Sequence, residues 1–86
     1  MHQMTAEEFR NALDQIGVTQ AGFARLVELD ERTVRRMAAD DRDVMQPIAI
    51  LLTIMIKKKI TVAQLLKLMD DPRDPRDFGD QRVKEQ

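Results

Sequence analysis

The chain has 86 residues and a formal net charge of −1, with 34% charged and only 3% aromatic residues. That size implies one domain with a modest core, which helices with local contacts fill most readily. The absence of cysteine excludes disulfides and thiolate metal sites. With few glycines and prolines and no period-two alternation of strand formers, the expected fold class is all-α.

Thr5 followed three residues later by Glu8 forms a capping box, so a first helix starts near Ala6. Phe9, Leu13 and Ile16 line its inner face with Ala12 beside them, and Gly17 ends it. Thr19 caps a second helix over 20–27, in which Phe23, Ala24 and Val27 make one apolar stripe. Leu29 packs inward from the following turn, and Asp30 is the next N-cap. A third helix spans 31–39 and buries Val34 and Met37. Asp40-Asp41-Arg42-Asp43 is a polar turn.

Pro47 opens a fourth helix over 47–56. Ile48, Leu51, Leu52 and Met55 form one face, while Ile50 and Ile54 point elsewhere and are equally apolar. A helix that is apolar all round needs cover on both sides, here from a fifth helix, a second subunit or both. Lys57-Lys58-Lys59 closes it as a solubilising end suited to the helix dipole. Thr61 caps a fifth helix from Val62 to Met69, with Val62, Leu65, Leu66 and Met69 as its stripe and Leu68 off it. From Asp70 the composition changes to a charged, proline-containing repeat, Asp-Pro-Arg-Asp-Pro-Arg-Asp. This pattern predicts a helical domain over 1–70 and a flexible charged tail over 71–86, with Phe78 either exposed or docked on a partner.

On a wheel of roughly 100° per residue, Arg32, Arg35, Arg36 and Ala39 share an arc opposite Val34 and Met37. An arginine-rich face alone is an ordinary solvated face. Here it follows a capped helix, a short turn and an inward leucine. Together these make the layout of a helix-turn-helix, which places its second helix in the DNA major groove. The planar guanidinium fork suits phosphate oxygens and the O6/N7 edge of guanine.

Residues 4–56 resemble the helix-turn-helix domain of the phage-repressor and Xre-like transcription regulators. The resemblance rests on Thr19-Gln20, Phe23-Ala24, Val27 and Leu29 around the turn, Thr33-Val34-Arg35-Arg36, and Pro47 opening the next helix. It implies a lambda-repressor-like bundle of about five short helices. The family's phosphate-contacting glutamine falls on Gln20, its base-reading positions on Glu31, Arg32, Arg35 and Arg36, and its backbone-touching loop on Arg42. Thr33 joins Gln20 as a phosphate holder, and Glu31 is placed to accept from a cytosine amine. Two positions depart from the family pattern. Glu28 stands where glycine is favoured, which implies strain or a slightly different turn, and Met37 stands where tryptophan often closes the second helix.

Charge and residue inventory narrow the function classes. The tail from Asp70 carries six acids and four bases, leaving residues 1–69 at +1. A local arginine patch suffices to steer DNA because distant acids are screened beyond about 10 Å. The chain has no serine, cysteine, tyrosine or tryptophan, and its one histidine is His2. This speaks against nucleophilic or histidine-based catalysis, and no glycine-rich phosphate loop is present. Asp40, Asp41 and Asp43 lack the spacing and closing glutamate of a calcium loop. The N-terminal MHQMTAEEF has no leader-like pattern, and the longest apolar run, Pro47–Ile56, falls far short of the roughly 20 residues of a membrane span.

The sequence therefore implies a cytoplasmic, sequence-specific, double-stranded DNA-binding regulator. It would be a dimeric repressor paired through helices four and five, without cofactor, metal, membrane or enzymatic role. The tail offers a site for a protein partner. The alternative is an adaptor or antitoxin-type interaction module that keeps the fold and binds a protein through helices four and five.

Overall fold

The computed structural model describes residues 3–79. Among them the fold is all-α, with five helices: α1 (Ala6–Ile16), α2 (Gln20–Val27), α3 (Glu31–Ala38), α4 (Gln46–Lys57) and α5 (Val62–Leu68). His2 and residues 80–86 of the expected tail lie outside the described residues.

Local chemistry sets the helix starts. The Thr5 hydroxyl accepts from the Glu8 N–H at 3.1 Å, and the Glu8 carboxylate accepts from the Thr5 N–H at 2.9 Å. The Thr19 hydroxyl accepts from the Gly22 N–H at 2.9 Å. Thr61 and Gln64 form a second capping box at the start of α5. Asp30 departs from expectation: it occupies the N-cap of α3 in an extended conformation, but its carboxylate makes no capping bond. The α4 N-cap is Met45, whose N–H donates to the Met37 sulfur at 3.4 Å, so a buried side chain of α3 anchors the entry to α4.

The helix ends share one geometry. Gly17 closes α1 with φ 80°. The other four helices close on non-glycine residues in the same left-handed region: Glu28 (φ 58°), Asp40 (65°), Lys59 (56°) and Asp70 (56°). In each case the next N–H reaches back five residues: Leu29 to Ala24, Asp41 to Arg36, Ile60 to Met55 and Asp71 to Leu66, all at 2.8–2.9 Å. This is the Schellman closure, built four times without glycine. Glu28 thus adopts the conformation that glycine favours, at the cost of the strain its Cβ imposes.

The core is continuous. Phe9 of α1 and Phe23 of α2 meet edge to face with centroids 5.9 Å apart. Val34, Met37, Leu52, Met55 and Phe78 are fully buried around them. α1 packs against α3 and α4, and α2 packs against α3.

Two expectations about the C-terminal part are overturned. First, the flexible tail does not begin at residue 71. Residues 71–79 form a strap laid on α2, and it contains a 3-10 turn over Pro75–Phe78. Phe78 is 2% exposed and belongs to the core, so it docks on its own chain and not on a partner. The strap holds because a polar segment found specific sites. Its Phe78 carbonyl accepts from the Thr19 N–H at 3.1 Å, and it lies so close to Gly22 that a Cβ there would sit 2.0 Å from the oxygen. Second, α5 does not cover the outer face of α4. Ile50 and Ile54 are 47% and 48% exposed, and Met69, expected in the buried stripe of α5, is 49% exposed because the helix ends at Leu68.

Candidate nucleic-acid interface

α2 and α3 are joined by the three residues Glu28, Leu29 and Asp30 and pack closely on one another. Leu29 is half-buried against the core, as its place in the turn implied. The inner side of α3 is fixed by Val34, Met37 and Ala38, all buried. The opposite side is therefore held outward as a rigid surface. Arg32, Arg35, Arg36 and Ala39 are all exposed on it, and Glu31 and Thr33 are partly exposed.

Part of this arrangement has a local explanation. Glu31 lies in the first turn of α3 and Arg35 and Arg36 in the last, which complements the helix dipole. Arg35 is ion-paired with Glu31 one turn earlier, in the favourable acid-before-base order. The structure thus brings together two residues that the sequence had assigned separately to base contacts. Arg32 and Arg36 differ from Arg35: among the described residues neither side chain has an ion-pair or hydrogen-bond partner.

The remaining sequence candidates sit around this face. Gln20 is the first residue of α2 and is partly exposed. Arg42 is exposed on the turn after α3. It lines an open groove of about 590 Å³ together with Arg10, Glu7, Asp40 and Asp43, so its surroundings carry both signs of charge.

Sequence reasoning missed two arginines that brace the α2–α3 pair. Arg10 of α1 donates from Nη1 to the Ala38 carbonyl at 2.5 Å, at the C-terminal end of α3. Arg73 of the strap donates from Nη1 to the Arg25 carbonyl at 2.7 Å and from Nη2 to the Leu26 carbonyl at 3.1 Å, at the C-terminal end of α2. Each donates to carbonyls of a helix's last turn, among which that of Arg25 also accepts from the Glu28 N–H at 3.3 Å, and each places a cation at the negative end of a dipole. Arg73 is itself oriented by a two-pronged bond to Asp71 and lies 5.1 Å from the Phe78 ring centre. That bond, with the Arg73 N–H on the same carboxylate, holds the Asp71 pKa below its ordinary value and raises that of Arg73. The one sequence signal for the strap was Gly22. A glycine inside a helix costs stability unless something needs the space.

No protein-family model, curated protein or solved structure matches the chain. Among the described residues, no helix is long and apolar enough to cross a membrane.

Proposed function

We propose that the protein is a sequence-specific, double-stranded DNA-binding regulator, a dimeric repressor that places α3 in the major groove of its operator. The observation that carries this reading is the pair Arg32 and Arg36. They are two outward guanidiniums with no partner among the described residues, on a helix locked from behind by Val34 and Met37. The helix that carries them is already ordered, so binding has only the two side chains to immobilise, and arginine is the commonest reader of guanine. Gln20, Thr33 and Arg42 would contact phosphates, and Arg35 and Glu31 would act as a pair at the groove edge. Pairing of two copies through the bare outer face of α4 at Ile50 and Ile54, extending to α5, gives a two-fold molecule. Half-sites would then lie about 34 Å apart or at a multiple of that. The role is binding and not catalysis, and a cytoplasmic location follows from it.

In vitro selection from a random DNA pool, followed by anisotropy titration on the selected site, tests this reading. Arg36→Ala should weaken the selected site by roughly 1–3 kcal/mol while leaving random DNA nearly unaffected. Arg42→Ala should weaken all sequences alike and reduce the log–log salt slope by about 1. Failure of the pool to enrich any sequence would refute it.

A second reading has its own support. Residues 1–43, which carry α3, hold nine acids against six arginines, so the arginine face sits on the acidic part of the chain. An adaptor or antitoxin-type module would use α4 and α5 against a protein instead. Affinity for DNA that is weak and insensitive to sequence, with tight binding of one protein, would select this reading.

A further inference from the structure

Charge is unevenly divided along the chain. Residues 44–69, covering α4 and α5, carry four lysines and no acid, in a protein whose net charge is −1. The fold gathers three of these lysines around one groove. Lys58, Lys59, Ile60, Gln64, Lys67 and Leu68 line a depression of about 310 Å³ between the end of α4 and the outer side of α5. Its apolar component is Ile60 and Leu68, of which Leu68 is 73% exposed, and Met69, the next residue along the chain, is 49% exposed. Its walls are fixed by backbone bonds. The Ile60 N–H closes on the Met55 carbonyl at 2.8 Å, Lys59 is held in the left-handed region, and the Thr61–Gln64 capping box sets the start of α5. No carboxylate lines the groove, and the next acids along the chain are Asp70, which is exposed, and Asp71, which is engaged by Arg73.

We propose that this groove docks an acidic amphipathic segment of a partner protein, which sets a large apolar side chain over Ile60 and Leu68 and its carboxylates against Lys58, Lys59 and Lys67. The volume suits one anchoring side chain, and a rim of lysines around an apolar floor is complementary to such a segment in both respects. A second copy of this chain docked two-fold on the same patch would oppose lysine to lysine, so a dimer paired at Ile50 and Ile54 and reaching α5 leaves this groove outside its contact. DNA would meet the lysines but leave Leu68 and Met69 without an apolar partner. The site is separate from α3 and stands whether or not α3 binds DNA. It supplies the partner chemistry that the second reading above requires.

The test uses the full chain, isotopically labelled, titrated by NMR with a synthetic helical peptide of about 16 residues, carrying leucines at helical spacing and glutamates between them. The expected result is amide shifts concentrated on 58–68, with affinity reduced about tenfold or more when glutamine replaces the peptide's glutamates, and likewise in Lys58→Glu/Lys67→Glu. Leu68→Ala should weaken binding while the melting temperature stays unchanged, because the side chain is exposed in the free protein. Absence of shifts with the acidic peptide overturns the proposal. So does equal affinity for the glutamine peptide. Shifts of the same residues with duplex DNA, or with phosphatidylglycerol-containing vesicles, in the absence of a response to the peptide also overturn it. DNA binding at α3 is read separately, from shifts on 31–39.

Discussion

α2 and α4 pose the same physical problem and resolve it differently. Each is apolar on more than the side that faces the main core. In α2, Gly22, Phe23, Ala24 and Leu26 are all buried, because a segment some fifty residues later returns to cover the helix. In α4, Ile48, Ala49, Leu52 and Met55 are buried, while Ile50 and Ile54 remain about half-exposed. α4 is the more apolar of the two and is nevertheless the one left partly bare, so overall apolarity does not decide which helix is covered. The difference lies in the size of the side chain at the outer surface. Gly22 admits a backbone carbonyl directly against α2, whereas branched isoleucines keep any backbone at a distance from α4. One face is therefore closed by the chain itself, and the other is open to a second molecule.

The sharpest way to break the comparison is to make α2 resemble α4. Gly22→Ala places a Cβ 2.0 Å from a backbone oxygen and must displace the strap. Its loss of stability in urea should equal or exceed that of Phe78→Ala, which removes a fully buried ring and should cost about 3–5 kcal/mol. If Gly22→Ala melts like the unmodified protein, the strap does not close α2. A smaller loss is expected for Arg73→Ala, which takes the guanidinium from the Arg25 and Leu26 carbonyls, the first of which keeps the Glu28 N–H, while leaving Phe78 in place. That variant also has a pH signature. The Asp71 carboxyl is held below its ordinary value of 3.8, first by the Arg73 side chain and then by the Arg73 N–H. A depressed folded pKa means that the contribution is fully present above the ordinary value and lost as pH falls through the lower, folded one. The unmodified protein should therefore lose stability below pH 3.8 by a step that Arg73→Ala shrinks without abolishing, since the N–H of residue 73 still reaches the carboxylate. Smallest in its effect on folding is Ile50→Glu with Ile54→Glu, since both side chains are already near water. It should leave thermal stability almost unchanged at high dilution, yet convert a dimer to a monomer in light scattering. A substantial drop in monomer stability would show that the α4 face is closed after all.

Most of the helical frame was legible because its determinants are local. Thr5, Gly17, Thr19, Pro47 and Thr61 mark helix boundaries through bonds or torsions spanning four residues or fewer. The arginine face of α3 was legible for the same reason, since helical spacing alone puts Arg32, Arg35 and Arg36 opposite Val34 and Met37. The Glu31–Arg35 pair was also written in the sequence, at a spacing of four, but assigning both residues to bases obscured it. The strap was not legible. Asp-Pro-Arg-Asp-Pro-Arg-Asp has the composition of a disordered segment, and what orders it is non-local: Phe78 in the core, Arg73 on α2 and the vacancy at Gly22. Composition reports how much apolar surface a segment carries, but not whether a site elsewhere has been shaped to receive it.

The four helix ends closed by Glu28, Asp40, Lys59 and Asp70 leave the protein with an unused reserve. Each holds a side-chain-bearing residue where glycine would relieve roughly 1 kcal/mol of torsional strain, offset in part by the greater freedom glycine gives the unfolded chain. None of the four positions belongs to the buried core. A lineage under pressure for greater heat resistance has four single substitutions open to it that leave the core intact. Glu28→Gly is the one that would also test whether the turn before α3 tolerates a looser closure.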